Sequence, residues 1–149
     1  MTQITPSEDP DEAHRRPPGV TDATVAAVGK LSEALETIER ARGHLYSLHQ
    51  LTGHADLMLD EAVDLLREAG HGELADRLAC ELVGRNVIAG RWTFQLVVDY
   101  DDGYYAVFSE LEARARQLVG GRRHLYEAEM KERRRTHGEP GHEARPAAG

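Results

Sequence analysis

Residues 31–69 read LSEALETIERARGHLYSLHQLTGHADLMLDEAVDLLREA, and this stretch decides the fold because it keeps one seven-residue rhythm throughout. The first row of that rhythm is mostly large and apolar: Leu31, Ile38, Leu45, Thr52, Leu59 and Leu66. The second row, three residues later, is mostly alanine: Ala34, Ala41, Leu48, Ala55, Ala62 and Ala69. Large residues on one row and small residues on the other predict a narrow apolar seam along a long helix that packs closely against a partner helix.

The boundaries of this helix follow from the residues at its ends. Thr21 or Asp22 provides an N-cap, and Gly70 provides a residue that enters the left-handed region at the C-terminus. The seven-residue phase survives Gly53, although a glycine inside a helix costs about 1 kcal/mol. We therefore predict one helix from about Asp22 to Ala69, with a kink at Gly53 as the alternative.

A shorter apolar pattern follows the long helix. Leucines and a valine spaced for one helical face predict a second helix from about Glu73 to Val83, ended by Gly84. Residues 85–91 contain Asn86 and Gly90 and are typical of a connecting segment.

A second seven-residue pattern begins near residue 92. It consists of Val97, Tyr104, Leu111, Leu118 and Leu125. The pattern predicts a helix from about residue 92 towards residue 135, kinked at Gly103 or broken at Gly120 and Gly121. On its exposed face an acid precedes a base by four residues, the favourable order, in pairs such as Glu112 with Arg116 and Glu129 with Arg133.

The sequence thus predicts an all-α protein, with two long antiparallel helices and a short helix between them. Apolar residues beside the first seam exceed what one partner helix covers: Val28, Leu35, Met58, Val63 and Leu65. A second copy of the chain would cover the remainder, which predicts a homodimeric helical bundle.

The chain has 149 residues, and its composition limits the classes of function and partner. All prolines lie outside residues 19–138, so we predict disordered tails over 1–20 and 137–149 and one helical domain over 21–136. A net charge of −8 disfavours nucleic acid, and the basic run 131–135 is interrupted by acids, as in a solvated helix face. No apolar stretch is long enough for a membrane span, and the single cysteine, Cys80, suits the cytoplasm.

An aromatic and acidic cluster is the first candidate site. Its ligand-binding candidates are Arg85, Arg91, Trp92, Tyr100, Asp101, Tyr104 and Tyr105. Asp101 falls on the inner row of its helix, and a carboxylate there needs a cation, a metal or a raised pKa. We expect either a ring-lined pocket for a polar ligand, or rings that fill the bundle while Asp101 pairs with Arg85 or Arg91.

A metal site is the alternative. Its candidate ligands are His44, His49, His124 and Glu127, with Asp101 and Tyr104 as another pair, and iron, manganese or zinc as the metal. The spacing of five residues between His44 and His49 is unlike the three or four usual for ligands on one helical face. The pattern therefore favours a protein without a cofactor.

No catalytic motif stands out. The serines of the helical region have no adjacent histidine and carboxylate of the kind a hydrolase uses. The sequence therefore favours a non-enzymatic, cytoplasmic helical protein that self-associates and binds a protein partner. The alternatives are a metal-binding, redox-active bundle and a sensor of a small molecule with an aromatic-lined pocket.

Overall fold

The structure, a computed structural model, describes residues 8–145. Regular structure in this range is helical, apart from an isolated bridge between Ile88 and Arg91. The predicted all-α class is confirmed. Residues 1–7 and 146–149, the outer parts of the two predicted tails, lie outside the described range.

The chain forms helices of three kinds. The α-helices are α1 (Asp22–Glu68), α2 (Gly72–Glu81), α3 (Thr93–Tyr100), α4 (Ala106–Arg116) and α5 (Leu125–Arg134). A π-helix, Asp101–Tyr105, links α3 to α4, and short 3-10 helices span Glu12–His14 and Gln117–Val119.

Helix α1 runs without interruption for 47 residues, as the seven-residue rhythm predicts. Its start is capped by Thr21, whose hydroxyl oxygen accepts a hydrogen bond from the Thr24 amide at 3.2 Å. Its end is set by Gly70, which has a φ of +87°. The following amide, of His71, donates to the Leu66 carbonyl at 2.8 Å, and this closes the helix as the glycine predicts.

The second long helix is interrupted twice. The π-helix surrounds Gly103, and the helix stops at Gly120 and Gly121, which have φ values of +67° and +72°. Of the two predicted possibilities, the break at Gly120 and Gly121 therefore occurs, and α5 begins only at Leu125. A left-handed glycine cannot continue a right-handed helix, which explains why the seven-residue pattern outlasts the helix itself.

The described residues form two compact units, and α1 contributes to both. Unit 1 contains the residues up to Glu36 and from Val107 onward, and unit 2 contains Thr37–Ala106. The core of unit 1 consists of Val25, Val28, Val119 and Leu125, with Val20 and Ala115 against it.

Ion pairs in unit 1 join the residues before α1 to α5. The Arg16 guanidinium donates to both carboxylate oxygens of Glu129 at 2.8 Å. The Arg135 side chain, only 2% exposed, contacts Glu8 and Glu132. Residues 8–20, part of a predicted tail, thus make specific contacts with α5.

Two predicted surface pairs of this unit differ in the structure. Glu112 does pair with Arg116, at 2.8 Å, but Glu112 is buried and also accepts from the Ser32 hydroxyl. Glu129 pairs with Arg16 of the preceding segment. Sequence spacing identifies neighbours on one helix, but it does not identify cations that another segment brings nearby.

Unit 1 also contains a close approach of two helices at Gly29. A Cβ atom at Gly29 would lie 2.9 Å from the Cβ of Tyr126 in α5. Glycine is therefore required in α1 at this position, whereas a Cβ at Gly53 would meet nothing within 4 Å.

The two glycines should respond in opposite ways to alanine. Gly53→Ala should stabilise the fold by up to about 1 kcal/mol, because alanine loses less backbone entropy in a helix. Gly29→Ala should destabilise it, by about 1–3 kcal/mol, because the new methyl group overpacks the contact with Tyr126. Urea unfolding followed by circular dichroism measures both changes, and a stabilised Gly29→Ala would contradict the packing described here.

Candidate functional site

A row of polar residues on α1 connects it to the returning segment of unit 2. We call this row and its partners the polar ladder. It comprises three hydrogen bonds. Arg42 Nε bonds to Asp101 Oδ1 at 2.7 Å, His49 Nδ1 bonds to Thr93 Oγ1 at 2.7 Å, and Asp56 Oδ1 accepts from the Gly84 amide at 2.8 Å. The partner numbers fall as the α1 numbers rise, so the contacts within unit 2 run in antiparallel order.

The polar ladder changes the seam that the sequence predicts. The first row of the rhythm is partly buried along unit 2, from Ile38 to Leu66, as predicted. The prediction that the second row also packs against a helix of the same chain is wrong, because Ala41, Leu48 and Ala55 of that row are exposed. The ladder residues occupy the other flank of the first row, so the helix meets the returning segment on that side and leaves the second row uncovered.

Arg42 is the most connected residue of the ladder. Its guanidinium makes two hydrogen bonds to Asp101, with Nη2 to Oδ2 at 3.1 Å, and lies 4.5 Å from the centre of the Tyr105 ring. The Tyr46 hydroxyl donates to the same Asp101 oxygen at 3.2 Å, and the Tyr105 hydroxyl donates to Glu39. The π-helix thus presents two of its residues, Asp101 and Tyr105, to one arginine.

The predicted partners of Asp101 are wrong. Arg91 pairs with Asp99 at 2.9 Å, and Arg85 lies near the Glu81 carbonyl. The cation beside Asp101 is Arg42, which lies far away in the sequence. The sequence does contain a signal for this row of contacts, because Arg42, His49 and Asp56 repeat every seven residues. A heptad analysis nevertheless assigns such polar positions to the solvent-facing side of the helix.

The electrostatics of Asp101 limit the chemistry it can perform. Hydrogen bonds from Arg42, and to a lesser extent from Tyr46, hold the pKa of Asp101 below its ordinary value of 3.8. The same carboxylate raises the pKa of Arg42. A carboxylate with a lowered pKa is a weak proton acceptor at neutral pH, so this geometry suits a structural ion pair better than a general base.

The other ligand-binding candidates lie along α3 and the π-helix. The ring of Trp92 meets that of Phe94 edge-on at 5.1 Å, and Tyr100 lies 6.0 Å from Tyr104. Trp92 and Tyr104 are both more than half exposed. A ring-lined ligand site involving these residues stays a prediction.

The metal-ligand candidates fall in different parts of the chain. In unit 2, His44 is exposed and His49 belongs to the polar ladder. In unit 1, His124 Nδ1 lies 3.9 Å from Glu36, and Glu127 is partly buried. Among residues 8–145 no three histidine, cysteine or acidic side chains are grouped to hold a metal ion. Iron, manganese or zinc binding stays a prediction.

One face of α1 in unit 2, which we call the apolar stripe, is exposed along most of its length. It consists of Ala41, His44, Leu48, Leu51, Ala55, Met58, Ala62 and Leu65. Leu51 is 66% exposed and Met58 is 60% exposed. The spacing of three and four residues along the stripe is that of a helix–helix seam, which here faces solvent.

Comparisons with known proteins give no information on the function of this chain, so its interpretation depends on the geometry. The sequence matches no protein-family model, and it has no significant match among curated proteins or solved structures. No helix within residues 8–145 has the length and apolar character needed to cross a membrane.

The lowered pKa of Asp101 predicts a contribution to acid stability. Because the pKa is lower in the folded chain, the ion pair stabilises the fold above about pH 4 and ceases to do so as Asp101 is protonated at lower pH. Asp101→Asn should therefore lose stability at neutral pH and show a shallower decline below about pH 4.

Urea unfolding at a series of pH values measures this effect. Asp99→Asn is the matched control, since it removes a carboxylate from an exposed pair two residues earlier, in α3. An unchanged acid dependence in Asp101→Asn would contradict the role given to the Arg42–Asp101 pair.

Proposed function

We propose that this chain is a non-enzymatic helical protein of the cytoplasm that acts through self-association and the binding of a protein partner. The observation that carries the proposal is the apolar stripe on α1. A monomer in water rarely leaves a long row of apolar residues exposed, and such rows commonly mark interaction surfaces.

The pattern of exposure favours a helical partner. From Leu51 to Leu65, large side chains of the stripe alternate with alanines, so a second helix can approach closely and place its own side chains over the alanines. A homodimer in which two copies of the helical pair combine into a four-helix bundle is an economical way to cover this face.

A second exposed apolar region supports the binding of a further partner. Trp92, Phe94 and Val98 are each about half exposed at the start of α3. Aromatic residues with one accessible face are over-represented in protein interfaces. This region would remain available for recognition of another protein.

Substitutions on the stripe should dissociate the assembly. The double variant Leu51→Glu/Met58→Glu places two carboxylates on the apolar stripe, where association would bury them without partners. Sedimentation velocity of the wild-type chain at about 50 µM should show a dimer, and the double variant should sediment as a monomer.

A matched control comes from the same helix. Leu57 is 71% exposed but lies off the stripe, so Leu57→Glu should leave the dimer intact. A wild-type chain that is monomeric at this concentration would remove the main support for the proposal. Equal dissociation by Leu57→Glu would show that the stripe is not the contact.

A further inference from the structure

We infer that two copies associate through the apolar stripe with their α1 helices antiparallel and the two-fold axis at the axial level of residue 53. This inference rests on the proposed self-association and specifies its surface, orientation and register. Two features of the stripe support it: the pairing of side chains along its whole length, and the charges at its two ends.

Registers displaced by one heptad repeat the same pattern of side-chain sizes but leave one end of the stripe unpaired. When the axis lies level with residue 53, every stripe residue faces a stripe residue of the partner. In that register residue numbers facing each other sum to 106. Leu51 then faces the partner's Ala55, and Leu65 faces the partner's Ala41. Large side chains thus lie over alanines, which allows close approach of the two helices.

The same register makes the remaining contacts compatible. His44 faces the partner's Ala62, and Leu48 faces the partner's Met58. Leu48 is 45% exposed in the single chain, so its burial beside a flexible methionine removes apolar surface from water. Each of these contacts occurs twice, as two-fold symmetry requires.

Charge distinguishes the antiparallel orientation from the parallel one. Arg40 flanks the beginning of the stripe, and Glu61 and Glu68 flank its end. The antiparallel pair brings Arg40 close to the partner's Glu68, within two residues of the facing position, at both ends of the stripe. A parallel pair would keep Arg40 and the partner's Glu68 at opposite ends of the interface, and it would also align the two helix dipoles unfavourably.

Distances between spin labels test orientation and register together. Single cysteines introduced by Gly43→Cys, Gln50→Cys or Asp64→Cys, in a Cys80→Ser background, share one exposed row of α1. In the proposed dimer the axial separation between a label and its copy is about 30 Å at residue 43, about 9 Å at residue 50 and about 33 Å at residue 64.

The expected result of double electron–electron resonance is therefore a short distance at residue 50 and long distances at the other two. Equal distances at all three positions would show a parallel dimer, which overturns the inference and leaves self-association intact. Clearly unequal distances at residues 43 and 64 would overturn the register, because shifting the pairing by one heptad makes their axial separations differ by about 20 Å. A monomer in sedimentation, without dipolar coupling at any position, would overturn both the inference and the proposed self-association.

A charge exchange provides an independent test. Arg40→Glu or Glu68→Arg should each raise the Kd of the dimer about five- to tenfold, because two attractive contacts become repulsive. The combination Arg40→Glu/Glu68→Arg should restore the wild-type Kd. Within one chain these residues are about 42 Å apart along α1, so restoration requires contact between copies.

The matched control uses an acid that lies off the stripe. Arg40→Glu/Asp60→Arg has the same net charge as the exchanged pair, and Asp60 is exposed on another face of α1. This control should keep the weakened Kd. If both combinations restored the wild-type Kd, or if neither did, the proposed contact between Arg40 and the partner's Glu68 would be overturned.

Discussion

Three hydrogen bonds from α1, spaced seven residues apart, fix the register of unit 2. Arg42, His49 and Asp56 meet their partners at 2.7–2.8 Å, and a shift of the returning segment by one helical position would break all three. Apolar contacts tolerate sliding, whereas polar groups left without partners are costly. The polar ladder also determines which side of α1 packs against the returning segment, and the apolar stripe on the other side is therefore left exposed.

Much of the fold could be predicted from the sequence, because α1 is strongly periodic and ends at recognisable residues. Thr21 and Gly70 define its limits by local chemistry that needs no tertiary information. The partner of Asp101 was not predicted, because Arg42 lies 59 residues away and its seven-residue repeat with His49 and Asp56 does not identify which residues they contact. The exposure of Leu48 was missed for a related reason: an apolar row predicts that some helix covers it, but it does not say which chain supplies that helix.

The aromatic and acidic cluster illustrates how one group of residues supports different interpretations. Its composition suggests a binding pocket, whereas the geometry shows that two of its members, Asp101 and Tyr105, contact a single arginine. The π-helix is what makes this arrangement possible, since its wider turn departs from the spacing of the flanking α-helices. A glycine at its centre, Gly103, lowers the helical preference of the segment and eases that departure.

Arg135 has a consequence for how the chain can be shortened. Its buried guanidinium bonds to both the carbonyl and the carboxylate of Glu8, and to the carbonyl of His142. The two ends of the described chain therefore meet at one side chain. A truncation to the apolar-periodic region alone would remove both and leave this buried cation with Glu132 alone. The terminal segments belong to the folding unit of α5, even though their composition is that of dispensable extensions.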